Sequence, residues 1–147
     1  MCIRDSFDDA EGGTGNWTEE GNGIDWGTNF DDSYSGSRSF GDSNGSNFVN
    51  NTNNNFVLNQ TFDLTTTTSP YLEFYAKWSF EPGDLAGVQV STNGGANWTS
   101  LKLYEAAEAW IPEQISLEAF KNNNNVQFRF AMAVSYTHLT LPTICSV

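Results

Sequence analysis

The sequence predicts an all-β fold, an antiparallel two-sheet β-sandwich of jelly-roll or concanavalin-like type that lacks its last strand. Three observations carry this. Apolar residues recur at every second position through much of residues 55–132, the period at which a strand buries one face. The apolar runs are short and separated by stretches rich in Gly, Asn, Ser and Asp, the residues that turns require. Helical spacing is confined to Tyr104–Ala109 and Leu117–Lys121, each sufficient for one turn. Short alternating strands with turn signals between them pack as a sandwich.

Each element follows in order. The first third sets Trp17, Trp26, Phe30, Tyr34, Phe40 and Phe48 in a polar background, which reads as short strands and long ordered loops, because linkers lack such anchors. From Asn55, Phe56, Leu58, Gln60, Phe62 and Leu64 alternate with Val57, Asn59, Thr61 and Asp63. Leu72, Phe74, Ala76, Trp78 and Phe80 alternate with Tyr71, Glu73, Tyr75, Lys77 and Ser79. Ala86, Val88 and Val90 continue the series, then Leu101 with Leu103, and Ile115 with Leu117. Val126, Phe128, Phe130 and Met132 close it, with Gln127, Arg129 and Ala131 between them. Ser91–Trp98 fits the pattern S-x-N-x-G-x-x-W, the hairpin known as an Asp-box, and Asn93-Gly94 is expected to supply the positive φ values of its turn. Asn122–Asn125 reads as a second polar turn.

The two ends read differently. MCIRDS (residues 1–6) and VSYTHL (134–139) can be encoded by one DNA sequence and its reverse complement, and they resemble a translated transposon adapter of the kind used to prepare sequencing libraries. The expected organisation is therefore an adapter-derived 1–6, a C-terminally truncated sandwich module at 7–133, and an adapter-derived 134–147. His138, Cys2 and Cys145 all lie in the ends, so the module has neither histidine nor cysteine. That excludes a Cys or His nucleophile–base pair, a Cys/His zinc site and a disulfide framework within it.

The formal net charge of −12, against six basic residues, argues against nucleic acid or an anionic membrane surface as partner. No apolar run is long enough to span a bilayer. The acids also lack the pattern of a glycosidase pair: Glu73 stands alone on its strand face, and Glu81 and Asp84 sit in a Pro-Gly loop. The fragment itself is expected to be non-catalytic.

Two binding chemistries remain. Asp8, Asp9, Glu11, Asp31, Asp32 and Asp42 are loop acids unopposed by basic neighbours, which suits either a calcium ion, with its six to eight oxygen ligands, or plain solvation. Tyr71 and Tyr75 share a polar strand face with Glu73 and Lys77, where rings either stack on a sugar or lie beneath a loop.

FDDAE near the start, YSGSRSFGDS, LNQTFDL, YLEFYAKWSFEPGD, VQVSTNGGANW, W-x-x-EQISL and VQFRF together resemble the MAM-like, jelly-roll accessory modules of secreted bacterial metallopeptidases of the immune inhibitor A type, and of related sorted cell-surface proteins. The resemblance implies a non-catalytic module that stabilises or positions a catalytic domain of the same parent chain, secreted or at the cell surface, with structural calcium. By position it implies Asp9, Glu11 and Asp42 as metal ligands. The final strand of such modules carries an aromatic and an Asp pair after a Gly, whereas this chain runs into VSYTHL there. The alternative is a carbohydrate-binding or adhesive module, with Tyr71 and Tyr75 against a polysaccharide or protein ligand. A glycoside hydrolase using Glu73 or Glu81 is the third reading.

Overall fold

Alternation in the sequence becomes antiparallel pairing in the computed structural model, which describes residues 7–22, 26–42, 52–80, 82–134 and 144–146. Its strands are β1 (Trp17–Gly21), β2 (Gly27–Asn29), β3 (Ser39–Gly41), β4 (Thr52–Leu58), β5 (Tyr71–Ser79), β6 (Leu85–Ser91), β7 (Thr99–Tyr104), β8 (Ala107–Ser116), β9 (Gln127–Val134) and β10 (Ile144–Ser146). They form two five-stranded sheets, ordered β1-β4-β9-β6-β7 and β2-β3-β10-β5-β8. The fold class predicted from the sequence, an all-β antiparallel sandwich, is the one observed.

The core lies between the sheets because each strand turns its apolar alternates inward. Phe56, Val88 and Phe130 from the first sheet meet Phe40, Phe74, Ala76 and Trp78 from the second. Trp17 stacks on Phe56 with ring centres 4.6 Å apart, and Phe74 meets Phe130 edge-on at 5.2 Å. Such pairs add about 0.5–1.5 kcal/mol each beyond the area they bury. A smaller cluster of Leu64, Val90, Leu117, Val126 and Phe128 seals one end.

Of four local expectations, three need adjustment and one, the turn at Leu117–Lys121, holds. Leu101 and Leu103 do not share a face, because the β6–β7 register shifts between Val88 and Gln89. One extra residue in a strand reverses the faces beyond it, so Leu103 is 55% exposed and Tyr104 enters the core. Tyr104–Ala109 forms no helical turn: β7 ends at Tyr104, Ala106 takes φ +62°, and β8 begins at Ala107. At Leu117–Lys121 the turn is a short 3-10 helix over Glu118–Phe120. The Asp-box hairpin is present, but its positive φ values fall at Gly94 and Gly95 rather than at Asn93. Asn93 instead ties the loop, its Oδ1 accepting the Asn97 N–H at 2.9 Å, while Ser91 Oγ accepts from Gly95 at the same distance.

The three residues of β10 lie between β3 and β5, paired antiparallel with both. Both flanking strands present backbone donors and acceptors there, and any extended segment satisfies these whatever its side chains.

Candidate functional site

The outer face of β5 and β8 follows from their register. Tyr71 pairs with Ser116, Glu73 with Gln114 and Tyr75 with Pro112, all facing away from the core that Phe74, Ala76 and Trp78 enter. The loop between β2 and β3 folds onto this face and is fastened there by Asp32. One Asp32 carboxylate oxygen accepts from Lys77 Nζ, and the other accepts from Trp110 Nε1 at 3.1 Å. The Lys77 hydrogen bond is the main reason the Asp32 carboxyl is held below its usual range, with Trp110 assisting and partial burial opposing.

Asp32 brings Tyr34 over Tyr75. Their rings are parallel within 10°, with centres 3.6 Å apart, and Trp110 stands edge-on to Tyr34 at 6.3 Å. The two tyrosines singled out by alternation therefore differ in role. Tyr75 lies under the loop as the support of Tyr34, whereas Tyr71 keeps 40% of its surface exposed. Tyr34 is 46% exposed and Phe30, with the Arg38 guanidinium 5.0 Å from its ring centre, is 68% exposed. Between the two exposed tyrosine positions, Gln114 donates to Glu73 at 3.3 Å. Four residues of strand separate Tyr71 from Tyr75, about 14 Å. The face thus offers aromatic surfaces at two ends and an amide–carboxylate pair in the middle.

Sequence reasoning reached Tyr71, Tyr75, Glu73 and Lys77 but missed Tyr34, Asp32 and Trp110 as members of this face. Asp32 lies 78 residues from Trp110, and no local pattern joins them. Trp110 was reachable by continuing the alternation back from Ile115.

The proposed metal ligands are differently occupied. Asp9 Oδ1 accepts the Glu11 N–H at 3.1 Å, closing a local turn. Glu11 is wrapped by the β2–β3 loop: its carboxylate accepts the Ser37 N–H at 2.6 Å, the Ser37 hydroxyl at 2.7 Å and the Arg38 N–H at 2.9 Å. These bonds, Ser37 foremost, hold the Glu11 carboxyl below its usual range. Gly36, at φ +71°, lets the backbone pass so close that a Cβ there would overlap Glu11 Oε1. Asp42 is fully buried just after β3. Among the described residues no three Asp, Glu, His or Cys side chains gather as a metal would need. Glu11, engaged by these backbone and hydroxyl donors, cross-links the segment before β1 to the loop between β2 and β3. Of the acids considered for hydrolysis, Glu81 lies outside the described residues and Glu73 has Gln114 as its partner.

No family model matches the sequence, and no curated protein is a significant match to it. Solved structures do resemble it. The glycoside hydrolase domain of Endo-D from Streptococcus pneumoniae R6 superposes with a TM-score of 0.61 at 14% identity over 88% of this chain, which spans only 20% of that one. The C-terminal family 22 carbohydrate binding module of Clostridium thermocellum Xyn10B gives 0.58 at 14% identity, covering 95% of this chain and 87% of the module. A xylan-binding domain of the same family gives 0.55 at 11% identity, covering 92% and 86%. At such identities the likeness is one of fold: this chain has the β-sandwich that those modules have.

Proposed function

We propose that the chain is a non-catalytic accessory module of a larger secreted or cell-surface hydrolase and that it binds polysaccharide on the outer face of β5 and β8. The observation that carries this is the pair of exposed tyrosine rings, Tyr34 and Tyr71, set on a face already ordered by Asp32, with Glu73 and Gln114 between them. Aromatic planes supply area for the apolar faces of sugar rings, and a fixed polar pair gives orientation. The same sandwich in two carbohydrate-binding modules, matched over most of their length, supports the reading. The peptidase parent implied by the sequence resemblance has no counterpart among the three structures described, so a polysaccharide-directed parent is favoured.

Affinity electrophoresis through gels containing soluble xylan, glucan or mannan tests it. Retardation is expected in at least one gel, with Tyr71→Ala and Tyr34→Ala each weakening binding about tenfold, a factor that corresponds to about 1.4 kcal/mol. Unretarded migration in all three gels, or retention unchanged in the double variant, would overturn the assignment.

A further inference from the structure

The opposite face of the sandwich carries polar groups that the reading above does not use. On β9, Phe128, Phe130 and Met132 point inward, so Gln127, Arg129 and Ala131 point outward from the first sheet. Arg129 stands at mid-sheet, in register with Val57 of β4 and Gln89 of β6. Its Nε donates to Gln89 Oε1 at 2.7 Å, and its guanidinium carbon lies 4.4 Å from the centre of the Trp98 ring. The side chain is only 17% exposed, which is low for an arginine on an open sheet face. The Glu20 carboxylate is 4.0 Å from a terminal nitrogen, too far to hydrogen-bond. Among the described residues, the terminal guanidinium nitrogens and the Glu20 carboxylate therefore make no hydrogen bond.

The next row across the sheet runs Glu20, Asn55, Ala131, Gly87, Leu103, one residue from each strand. At about 4.8 Å per strand this row crosses about 19 Å of sheet. Ala131 and Gly87 are the smallest residues of this row, the Leu103 side chain lies against Gly87, and Arg129 with Trp98 and Gln89 stands beside the row. Arg129 is held by Gln89 and Trp98, so its remaining donors are fixed in place before any ligand arrives.

We infer that this outer face around Arg129 and Glu20 is a second glycan site, for a neutral polysaccharide, in which Arg129 donates to one hydroxyl of a vicinal diol and Glu20 accepts from its neighbour. A fixed donor and an acceptor about 4 Å apart match adjacent hydroxyls, one accepting and one donating. An acidic sugar is disfavoured by Glu20 and by the net charge of −12. The inference shares the ligand class proposed above but none of its residues, and the module would carry a glycan on each face.

Nuclear magnetic resonance of the 15N-labelled full chain separates the two sites, because Trp98 and Trp110 report one each through their indole N–H signals. Xylohexaose, cellohexaose and mannohexaose serve as neutral probes and hexagalacturonate as the anionic one. The Trp98 indole and Arg129 Nε–H signals are expected to move with a neutral probe and not with the uronate. Arg129→Met and Glu20→Gln, each checked for an otherwise native spectrum, should each weaken that response at least tenfold and leave the Trp110 response intact. A Trp98 signal that stays still with every neutral probe, or one that responds in both variants as strongly as in the unaltered chain, overturns the inference. Movement at Trp98 with none at Trp110 upholds it and sinks the Tyr71 site, and the converse sinks it alone.

Discussion

Lys102→Met and Glu113→Met should differ sharply in cost although they break the same ion pair. Lys102 on β7 reaches across the open edge of the sandwich to Glu113 on β8, placing Nζ 2.7 and 2.6 Å from the two carboxylate oxygens. The lysine side chain keeps 44% of its surface exposed and the glutamate only 6%. Removing one partner of a fully buried pair costs about 3–5 kcal/mol, chiefly because the other charge is left uncompensated. Lys102→Met strands a buried carboxylate; because one edge of the pair is wet, about 2–3 kcal/mol is the reasonable figure. A further fraction comes from the Lys102 contact with the Tyr104 ring at 5.4 Å. Glu113→Met strands a lysine that can turn into water, so its cost should fall below about 1 kcal/mol. Denaturant unfolding measures both, and the lysine variant should also melt about 5–10 °C lower, at about 2–4 °C per kcal/mol for a chain of this size. The double variant should resemble Glu113→Met alone. Equal costs for the two single variants, or a double variant no better than Lys102→Met, would refute the argument from asymmetric burial. The pair also bears on the site, since the residues flanking Glu113 on β8, Pro112 and Gln114, face the proposed glycan surface.

Acid sensitivity follows from Glu11 and Asp32, both held below their ordinary range in the fold. A depressed carboxyl contributes stability above its unfolded pKa and loses it as pH falls through the folded value, so the melting temperature should be flat from pH 7 to 5 and drop below about pH 4. Glu11→Gln should lower the melting point at pH 7 and make the acid decline shallower; an unchanged slope would show that the carboxylate is not what Ser37 and Arg38 hold. With the Glu11 oxygens already occupied, millimolar calcium and excess chelator should give the same melting temperature, whereas a calcium-dependent rise would restore Asp9, Glu11 and Asp42 as a metal set.

Much of the sandwich was legible because alternation is a local property. Phe56, Phe74, Trp78, Phe130 and Met132 were placed inward by counting twos, and all are buried. Leu103 escaped that count because a bulge is a disagreement between two strands and is invisible in either alone. The candidate site was half legible: Tyr71 and Tyr75 lie on one polar strand face, as the sequence says. It could not say that Tyr34 would cover Tyr75, because that depends on a loop docked by Asp32 onto Lys77 and Trp110, contacts 45 and 78 residues apart. Glu11 is the converse case, an acid that composition recommends for metal and that the fold spends on backbone 26 and 27 residues away.

By itself the sequence determined that this is a β-protein with one apolar face per strand, that residues 7–133 lack the side chains for thiol or imidazole chemistry, and that its acidity disfavours anionic partners. These follow from residue type and from a period of two, which need no knowledge of neighbours. Only the tertiary structure decided which outward faces stay open, which acids are already satisfied, and where Arg129, Glu20 and the exposed tyrosines stand. Those outcomes are set by register and loop docking, and both depend on pairings between residues far apart in the chain.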